Sequence, residues 1–269
     1  MLTKDTAICI RAIDYSETSQ IVTFFTRATG KISAIAKGSR RPKSAFGGPI
    51  EILAFGRVVF SDPAKERLAT LTEFEQQPGL THPPVDFFAL NCCLYAAELV
   101  NNLTHDNDPH QVLFDSFMRF LQDTNQERQT RIEGRDATLL LVLFQLTLLR
   151  EIGLMPVLNR CANCKTRYEI RDTTAAAGAG LPPRKRGYEL YFSSSANGLV
   201  CRDCEASFPD RIRLTKDAAA CLVNLRRLAE SDERTLGEIE KVLLSHINSL
   251  SGRPLRMTKQ MLKNLNGLM

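Results

Sequence analysis

Residues 20–37 read QIVTFFTRATGKISAIAK, and this stretch decides the N-terminal fold. Gln20 to Arg27 is β-branched and aromatic, Ala28-Thr29-Gly30 supplies a turn, and Lys31 to Lys37 resumes a strand pattern. Two such runs parted by a short glycine-containing connection predict a β-hairpin. The pattern extends outward in both directions. Upstream, Thr6 to Asp14 (TAICIRAID) alternates Ile8, Ile10 and Ala12 on one face with Cys9 and Arg11 on the other. Downstream, Pro49 to Ser61 (PIEILAFGRVVFS) and Arg67 to Glu75 (RLATLTEFE) read as further strands. No helical period intervenes, so about five short strands predict a small antiparallel barrel or sandwich. An OB-type barrel suits the count, and an SH3-like barrel fits it nearly as well.

At His82-Pro83-Pro84 the period changes. Val85 to Leu103 sets Phe88, Cys92, Tyr95, Ala96 and Leu99 at helical spacing. Asp108-Pro109 predicts a second helix, with Asp as N-cap and Pro at the first position, turning Leu113, Phe114, Phe117, Phe120 and Leu121 inward. Asp136 starts a third, apolar on nearly all sides, that ends around Gly153 before Pro156. From Leu214 the chain is helical again: Thr215 caps a segment with Leu222, Leu225 and Leu228, then Thr235 to Leu250 follows, and a short basic helix ends the chain.

Between these helical blocks lie Cys161-Ala-Asn-Cys164 and Cys201-Arg-Asp-Cys204. A C-x₂-C turn brings two thiolates to one ion, and two such turns complete a tetrahedral four-thiolate site, the composition of structural zinc. Four thiolates leave no open position for water or substrate, so a catalytic zinc does not fit. The alternatives are a redox dithiol, which has no use for a second C-x₂-C, or unrelated buried cysteines. The linker, 36 residues from Lys165 to Val200, exceeds the usual 15–20. Its excess is Thr173 to Gly187 (TTAAAGAGLPPRKRG), an Ala/Gly/Pro-rich insertion, flanked by strand patterns at Arg167 to Arg171 and Tyr188 to Phe192, with Asn197-Gly198 as a turn. Together these predict a zinc ribbon with an elongated hairpin. Cys9, Cys92, Cys93 and Cys221 lie in strand or helix patterns and read as core.

The expected architecture is therefore α+β and multidomain: an OB-type barrel over 1–80, the first part of a helical domain over 81–158, an embedded four-cysteine zinc-ribbon module over 159–208 with its insertion at about 173–187, and the rest of the helical domain over 209–269.

Hydrophobic residues make up 43% of the 269 and charged residues 24%, which argues against global disorder. The net charge of +5 is mild, but its distribution is not. Between Arg27 and Arg57 seven cations (27, 31, 37, 40, 41, 43 and 57) face one acid, Glu51. Four of them, Lys37, Arg40, Arg41 and Lys43, sit in AKGSRRPKSAFGG, residues 36–48, where glycines and Pro42 keep the backbone irregular. Concentrated charge of this kind faces phosphate or solvates a loop. Single-strand binders pair such a groove with aromatic platforms. Phe24, Phe25, Phe46 and Phe55 are available; most of them read as core, and Phe46, beside Gly47, is the one expected to be exposed. The last 19 residues add Arg253, Arg256, Lys259 and Lys263 with no acid.

Other classes are disfavoured. The N-terminus has no apolar signal region, and the longest apolar run, Leu139 to Leu149, is 11 residues, against roughly 20 for a membrane span. Eight cysteines without a signal favour a reducing compartment. No phosphate-binding glycine loop, H-E-x-x-H or G-x-S-x-G motif is present. His82, His105, His110 and His246 are scattered; His105 and His110 flank an acidic turn that reads as a helix start.

Taken in order, these pieces resemble the RecO family of bacterial recombination mediators over nearly the whole chain. The specific matches are AKGSRRPKSAFGG at 36–48, NGLVCRDC at 197–204 and SGRPLR at 251–256. The resemblance implies an OB domain on a helical domain with an embedded zinc module, and a non-catalytic function in DNA repair. Such proteins bind single- and double-stranded DNA, anneal complementary strands, contact the acidic C-terminal tail of single-strand binding protein (SSB), and act with RecR to load RecA on SSB-coated strands. The family's basic loop falls on Lys37, Arg40, Arg41 and Lys43, with Arg27 and Lys31 nearby. One structural Zn²⁺ per chain would be held by Cys161, Cys164, Cys201 and Cys204. Family members differ in keeping all four cysteines, so zinc is a structural addition. The tail would meet a basic rim, for which Arg253, Arg256 and Lys259 are candidates. The insertion departs from the compact family module, and its Arg184-Lys185-Arg186 reads as a solvated loop. The expected location is the cytoplasm, with the nucleoid. Two other classes stay open: a zinc-ribbon protein of the transcription or translation machinery that binds folded RNA, and an enzyme with an unrecognised site in the helical domain.

Overall fold

The computed structural model describes residues 2–61, 68–77, 84, 86–125, 134–168, 189–252 and 254–267. The insertion at 173–187, the strand expected at Arg167 to Arg171 beyond Tyr168, His82 and Arg253 lie outside the described residues. By packing, the chain forms two units: Met1–Gly153 with Leu255–Leu268, and Leu154–Pro254.

In the first unit five strands close into a barrel: β1 (Leu2–Asp14), β2 (Gln20–Thr26), β3 (Gly30–Ala36), β4 (Phe55–Ser61) and β5 (Ala69–Gln76). The order around it is β1-β2-β3-β5-β4, back to β1. The β3–β5 pairing is parallel, and the other four are antiparallel. This Greek-key closure is the OB arrangement and settles the choice against an SH3-like barrel. β1 is long enough to serve two neighbours, pairing Leu2–Ile8 with β4 and Ala7–Asp14 with β2. Its register slips between Cys9 and Arg11. The simple alternation read from the sequence therefore fails: Ala7 and Cys9 join the barrel core, Ala12 packs against it after the bulge, and Ile8 and Ile10 are buried outside it. A bulge changes which face later residues take.

The bulge has a partner. Leu53 donates its N–H to the Cys9 carbonyl, and the Cys9 N–H donates to Ala54, both at 2.8 Å. This holds Leu53 at φ 72°, so Pro49 to Ala54, expected as the start of a strand, is a turn wrapped onto β1, and β4 starts only at Phe55.

Three helices follow: α1 (Phe87–Leu103), α2 (Gln111–Asn125) and α3 (Gly134–Glu151). The Asp86 carboxylate caps α1, accepting from the N–H groups of Phe88 and Ala89. Leu113, Phe114, Phe117, Phe120 and Leu121 are buried on α2 as expected. Its start is not where Asp108-Pro109 suggested. Asn107 donates its N–H to the Lys31 carbonyl, and Asp106 bridges to Lys31, so the preceding residues are pinned to the barrel. They pass so close to Gly30 that a Cβ there would sit 2.3 Å from the Asp108 carbonyl oxygen. Phe25 of β2 meets Phe114 of α2 at 5.8 Å between ring centres. α6 (Thr258–Gly267) completes this unit, and Glu98 of α1 accepts from the N–H groups of Arg256 and Met257 just ahead of it.

The second unit holds a three-stranded sheet in the order β7-β6-β8, from β6 (Leu190–Ser193), β7 (Gly198–Cys201) and β8 (Ile212–Arg213). Asn197-Gly198 makes the turn as expected, with both residues at positive φ; a Cβ on Gly198 would lie 2.4 Å from the Val157 carbonyl oxygen. α4 (Lys216–Val223) is capped by Thr215, whose N–H and hydroxyl also bond Glu238 of α5 (Glu233–Ser251). His246 of α5 meets Phe192 of β6 edge-on at 5.1 Å. Among the described residues no helix is long and apolar enough to cross a membrane.

Candidate nucleic-acid interface and metal centre

The basic loop leaves β3 at Ala36 and returns to β4 at Phe55. It has no regular structure, yet both its ends are tied to one buried side chain. Gln20, at the start of β2 and 6% exposed, accepts from the Ser39 hydroxyl at 3.0 Å and the Ile50 N–H at 2.9 Å. Its amide nitrogen donates back to the Ile50 carbonyl at 3.4 Å. The loop also leans on the β1–β2 turn: Gly38 donates its N–H to Ser19 Oγ, and Arg40 donates its N–H to the Thr18 carbonyl. Gly38 takes φ 75°, a conformation that suits glycine.

With its backbone fixed this way, the loop sends Lys37, Arg40, Arg41 and Lys43 outward, and all four are exposed. Arg40 is partly neutralised by Asp14, at 3.0 Å. The other two expected contacts sit elsewhere. Lys31 lies at the opposite end of β3, about 20 Å from Lys37 along the strand. Its ammonium donates to the carbonyls of Asn101 and Thr104 at 2.8 and 2.7 Å, closing the C-terminal end of α1, and faces Asp106 at 3.3 Å. Arg27 forms a two-pronged pair with Asp115 of α2, at 2.8 and 2.9 Å, and its hydrogen bond lowers the Asp115 pKa. The structure thus gathers four cations on the loop and assigns Lys31 and Arg27 to the joint between barrel and helices.

Phe24 and Phe25 are fully buried, as core aromatics should be, whereas Phe46, expected to be exposed, is half-buried against the barrel core. The exposed aromatic beside the loop is Tyr15, 63% exposed in the β1–β2 turn. Gln20, Ser39 and Tyr15 were not singled out by sequence reasoning. Only the polar Gln20 opening an apolar strand could have signalled a role.

In the second unit the two C-x₂-C turns meet. The four Sγ atoms of Cys161, Cys164, Cys201 and Cys204 lie within 4.8 Å of one another, with Cys164 and Cys201 at 3.7 Å. Zn–S bonds of about 2.3 Å set tetrahedral thiolates about 3.8 Å apart, so the cluster has the dimensions the ion needs. The first turn is closed by Cys161 N–H to Thr166 and Lys165 N–H to Cys161, and the second by Cys204 N–H to Cys201. The Cys201 N–H points to Cys161 Sγ. The thiol pKa values spread apart. The Thr166 hydroxyl and N–H pull Cys164 down to about 6, whereas burial and the neighbouring thiols push Cys201 up to about 12. Burial opposes ionisation of Cys161, but the N–H groups of Cys201, Cys164 and Asn163 outweigh it and lower its pKa. A divalent cation is what would let all four ionise together. Among the described residues this is the one such group of ligands. The HDNDPH turn instead holds a His110–Asp108 contact of 3.2 Å.

Of the rim residues, Arg256 and Lys259 are exposed at the start of α6, beside the exposed Leu262.

A closed OB-type barrel with a pinned cationic loop, α-helices packed on it, and a four-cysteine module define an OB-barrel protein of α+β class. Residues 1–77 match the family model described as Recombination protein O N terminal, and residues 84–259 that described as Recombination protein O C terminal. The chain is 29% identical over 259 residues to the DNA repair protein RecO of Bacillus subtilis (strain 168), covering 94% of this chain and 91% of that protein. To the RecO of Bacillus pumilus (strain SAFR-032) it is 28% identical over 268 residues, covering 97% and 94%. To that of Rhodopirellula baltica it is 33% identical over 227 residues, covering 84% and 75%. The chain belongs to the RecO family, a family of DNA repair and recombination proteins.

Proposed function

We propose that this protein is a non-catalytic recombination mediator whose barrel loop binds DNA through Lys37, Arg40, Arg41 and Lys43. The observation that carries the reading is one loop with four exposed cations, its backbone tethered at both ends to the buried Gln20. Fixed backbone with exposed cationic heads suits phosphates, which are read by charge and not by base. Such a surface accepts single or double strands. Neutralising two strands at once removes their mutual repulsion, and base pairing then drives annealing without chemistry.

The same reading has the protein act with RecR to assist RecA loading on SSB-coated strands, in the cytoplasm at the nucleoid. The exposed Arg256 and Lys259 beside Leu262 offer charge and apolar surface to the SSB tail. Arg253, the third residue of that rim, stays an expectation from the sequence. One Zn²⁺ held by the four cysteines would hold the two turns together, supplying structure and not reactivity.

The test is single-stranded DNA affinity against salt, for the native chain and for the variant with Lys37, Arg40, Arg41 and Lys43 all changed to Ala. Each lost phosphate contact lowers the log–log slope by roughly 0.7, so the expected drop is about 3. An unchanged slope in a variant that still folds would remove the loop from the DNA surface.

A further inference from the structure

The outer face of the barrel changes character along its strands. After the β1 bulge, Arg11 and Ile13 share the outward side opposite the core residue Ala12. Cross-strand register lines up Ile13 with Ile21 and Ile21 with Ile35. Ile13 is 41% exposed, and Ile21 and Ile35 are only partly covered, short of full exposure. Tyr15 follows Ile13 two positions on and is 63% exposed. An aliphatic row ending in an exposed aromatic is therefore laid across three strands of a closed barrel. Cations border it: Arg11 on β1, Lys37 just past Ile35, and Arg40 through its pair with Asp14, the residue before Tyr15.

The apolar surface that Ile13 and Tyr15 leave exposed lies directly beside these cations. Backbone phosphates would be met by Lys37, Arg40 and Arg11. Unpaired bases on the same strand need flat or apolar surface at that distance, and strands 2 and 3 form the face on which OB barrels take oligonucleotides. Duplex DNA keeps its bases stacked on one another and cannot use the row.

We infer that Tyr15 stacks on a base of single-stranded DNA, with Ile13, Ile21 and Ile35 as the floor beneath its neighbours, so that this face gives the basic loop a preference for single strands. The inference rests on the loop being a DNA surface, as proposed above.

The chain contains no tryptophan, so Tyr15→Trp installs a single fluorophore at an exposed position. Oligo(dT) should quench it, while an abasic strand of equal length and a blunt duplex should not. Tyr15→Ala should weaken oligo(dT) binding by about fivefold or more, leaving the salt slope and duplex affinity unchanged, and Tyr15→Phe should restore the loss. The inference is overturned if oligo(dT) binding depends on the loop cations but Tyr15→Trp is not quenched and Tyr15→Ala binds as the native chain does. It is also overturned if an acidic peptide, and not oligo(dT), quenches the probe. Absence of salt-dependent DNA binding by the native chain would overturn the loop reading itself, and this inference with it.

Discussion

The cationic loop and the cysteine cluster are both made by turns, and they are organised in opposite ways. The thiols converge, four Sγ atoms within 4.8 Å, two from each turn. The loop's cations diverge: their backbone is fixed by Gln20, but their heads are separately exposed. A convergent site works as a unit, because removing one ligand leaves the others a site they cannot fill. A divergent site would work as a sum, each charge offering its own contact to a phosphate. Losses at the cluster should therefore appear as stability, and losses on the loop as salt-dependent affinity with little change in stability.

The largest expected effect tests the first half of that contrast. Structural zinc contributes about 10–16 kcal/mol of apparent binding free energy at neutral pH, which is folding free energy for the residues it gathers. Elemental analysis should find one zinc per chain. Cys201→Ser should lose it, and calorimetry should show the unfolding transition of the cysteine unit lost or lowered more than by any other single change. Retention of zinc and of that transition would break the contrast. Arg41→Ala is the matched control: it should lower the salt slope by roughly 0.7 and shift stability by no more than about 0.5 kcal/mol.

Two lysines on one strand make the next comparison. Lys31 and Lys37 carry the same charge, but the Lys31 ammonium is spent on the carbonyls of Asn101 and Thr104. Lys31→Met should cost about 1.5–3 kcal/mol, the range for hydrogen bonds to a charged group, read from denaturant unfolding, with the DNA salt slope unchanged. A fallen slope with an unshifted midpoint would return Lys31 to the DNA surface.

Gln20→Ala separates backbone order from charge. It leaves the Ile50 N–H without its acceptor, at about 1–3 kcal/mol, and frees both ends of the loop while keeping all four cations. DNA affinity should fall several-fold with the slope retained. A slope that falls as far as in the four-alanine variant would mean that the tether itself sets the contact number.

What could be read from the sequence was local. β-branched and aromatic runs between turn residues marked the strands, helical spacing marked Phe114, Phe117 and Leu121, and two C-x₂-C turns marked the cysteine cluster. What could not be read was decided by distant partners. Five short strands fit two barrels until the parallel β3–β5 pairing separates them. Pro49 to Ala54 is as apolar as a strand, but hydrogen bonds to the bulged Cys9 fold it into a turn. Asp108-Pro109 has the composition of a helix start, yet the barrel edge at Lys31 holds the chain just before it. On the loop, charge counting picked out Lys37, Arg40, Arg41 and Lys43, which are exposed, but it could not see that Lys31 caps a helix or that Gln20 ties the loop. The aromatic misreading has the same cause: Phe46 follows the glycine-rich pattern of an exposed tip, and the barrel core draws it in.

The smallest effect concerns the cysteine unit away from its thiols. His246 is fully buried against Phe192, and neither ring nitrogen has a hydrogen-bond partner among the described residues. Burial lowers its pKa below the ordinary histidine value, with Asp210 opposing the shift. Asp210 is itself held down at about 2: burial opposes this, but the Ser195 hydroxyl and N–H and the Ser193 hydroxyl outweigh it. The folded imidazole thus resists a proton that the unfolded chain accepts near pH 6.5. Stability is complete above that value and is lost as pH falls from about 6.5 toward the lower folded pKa. Protonation of the four thiols would weaken metal binding by the cysteine cluster as pH falls, so the decline in the native chain alone does not isolate the histidine. The difference between native and His246→Leu does: denaturant midpoints measured at about pH 7.5 and 5.5 should fall less in the variant. Equal falls would assign the whole acid sensitivity to the convergent cysteine site.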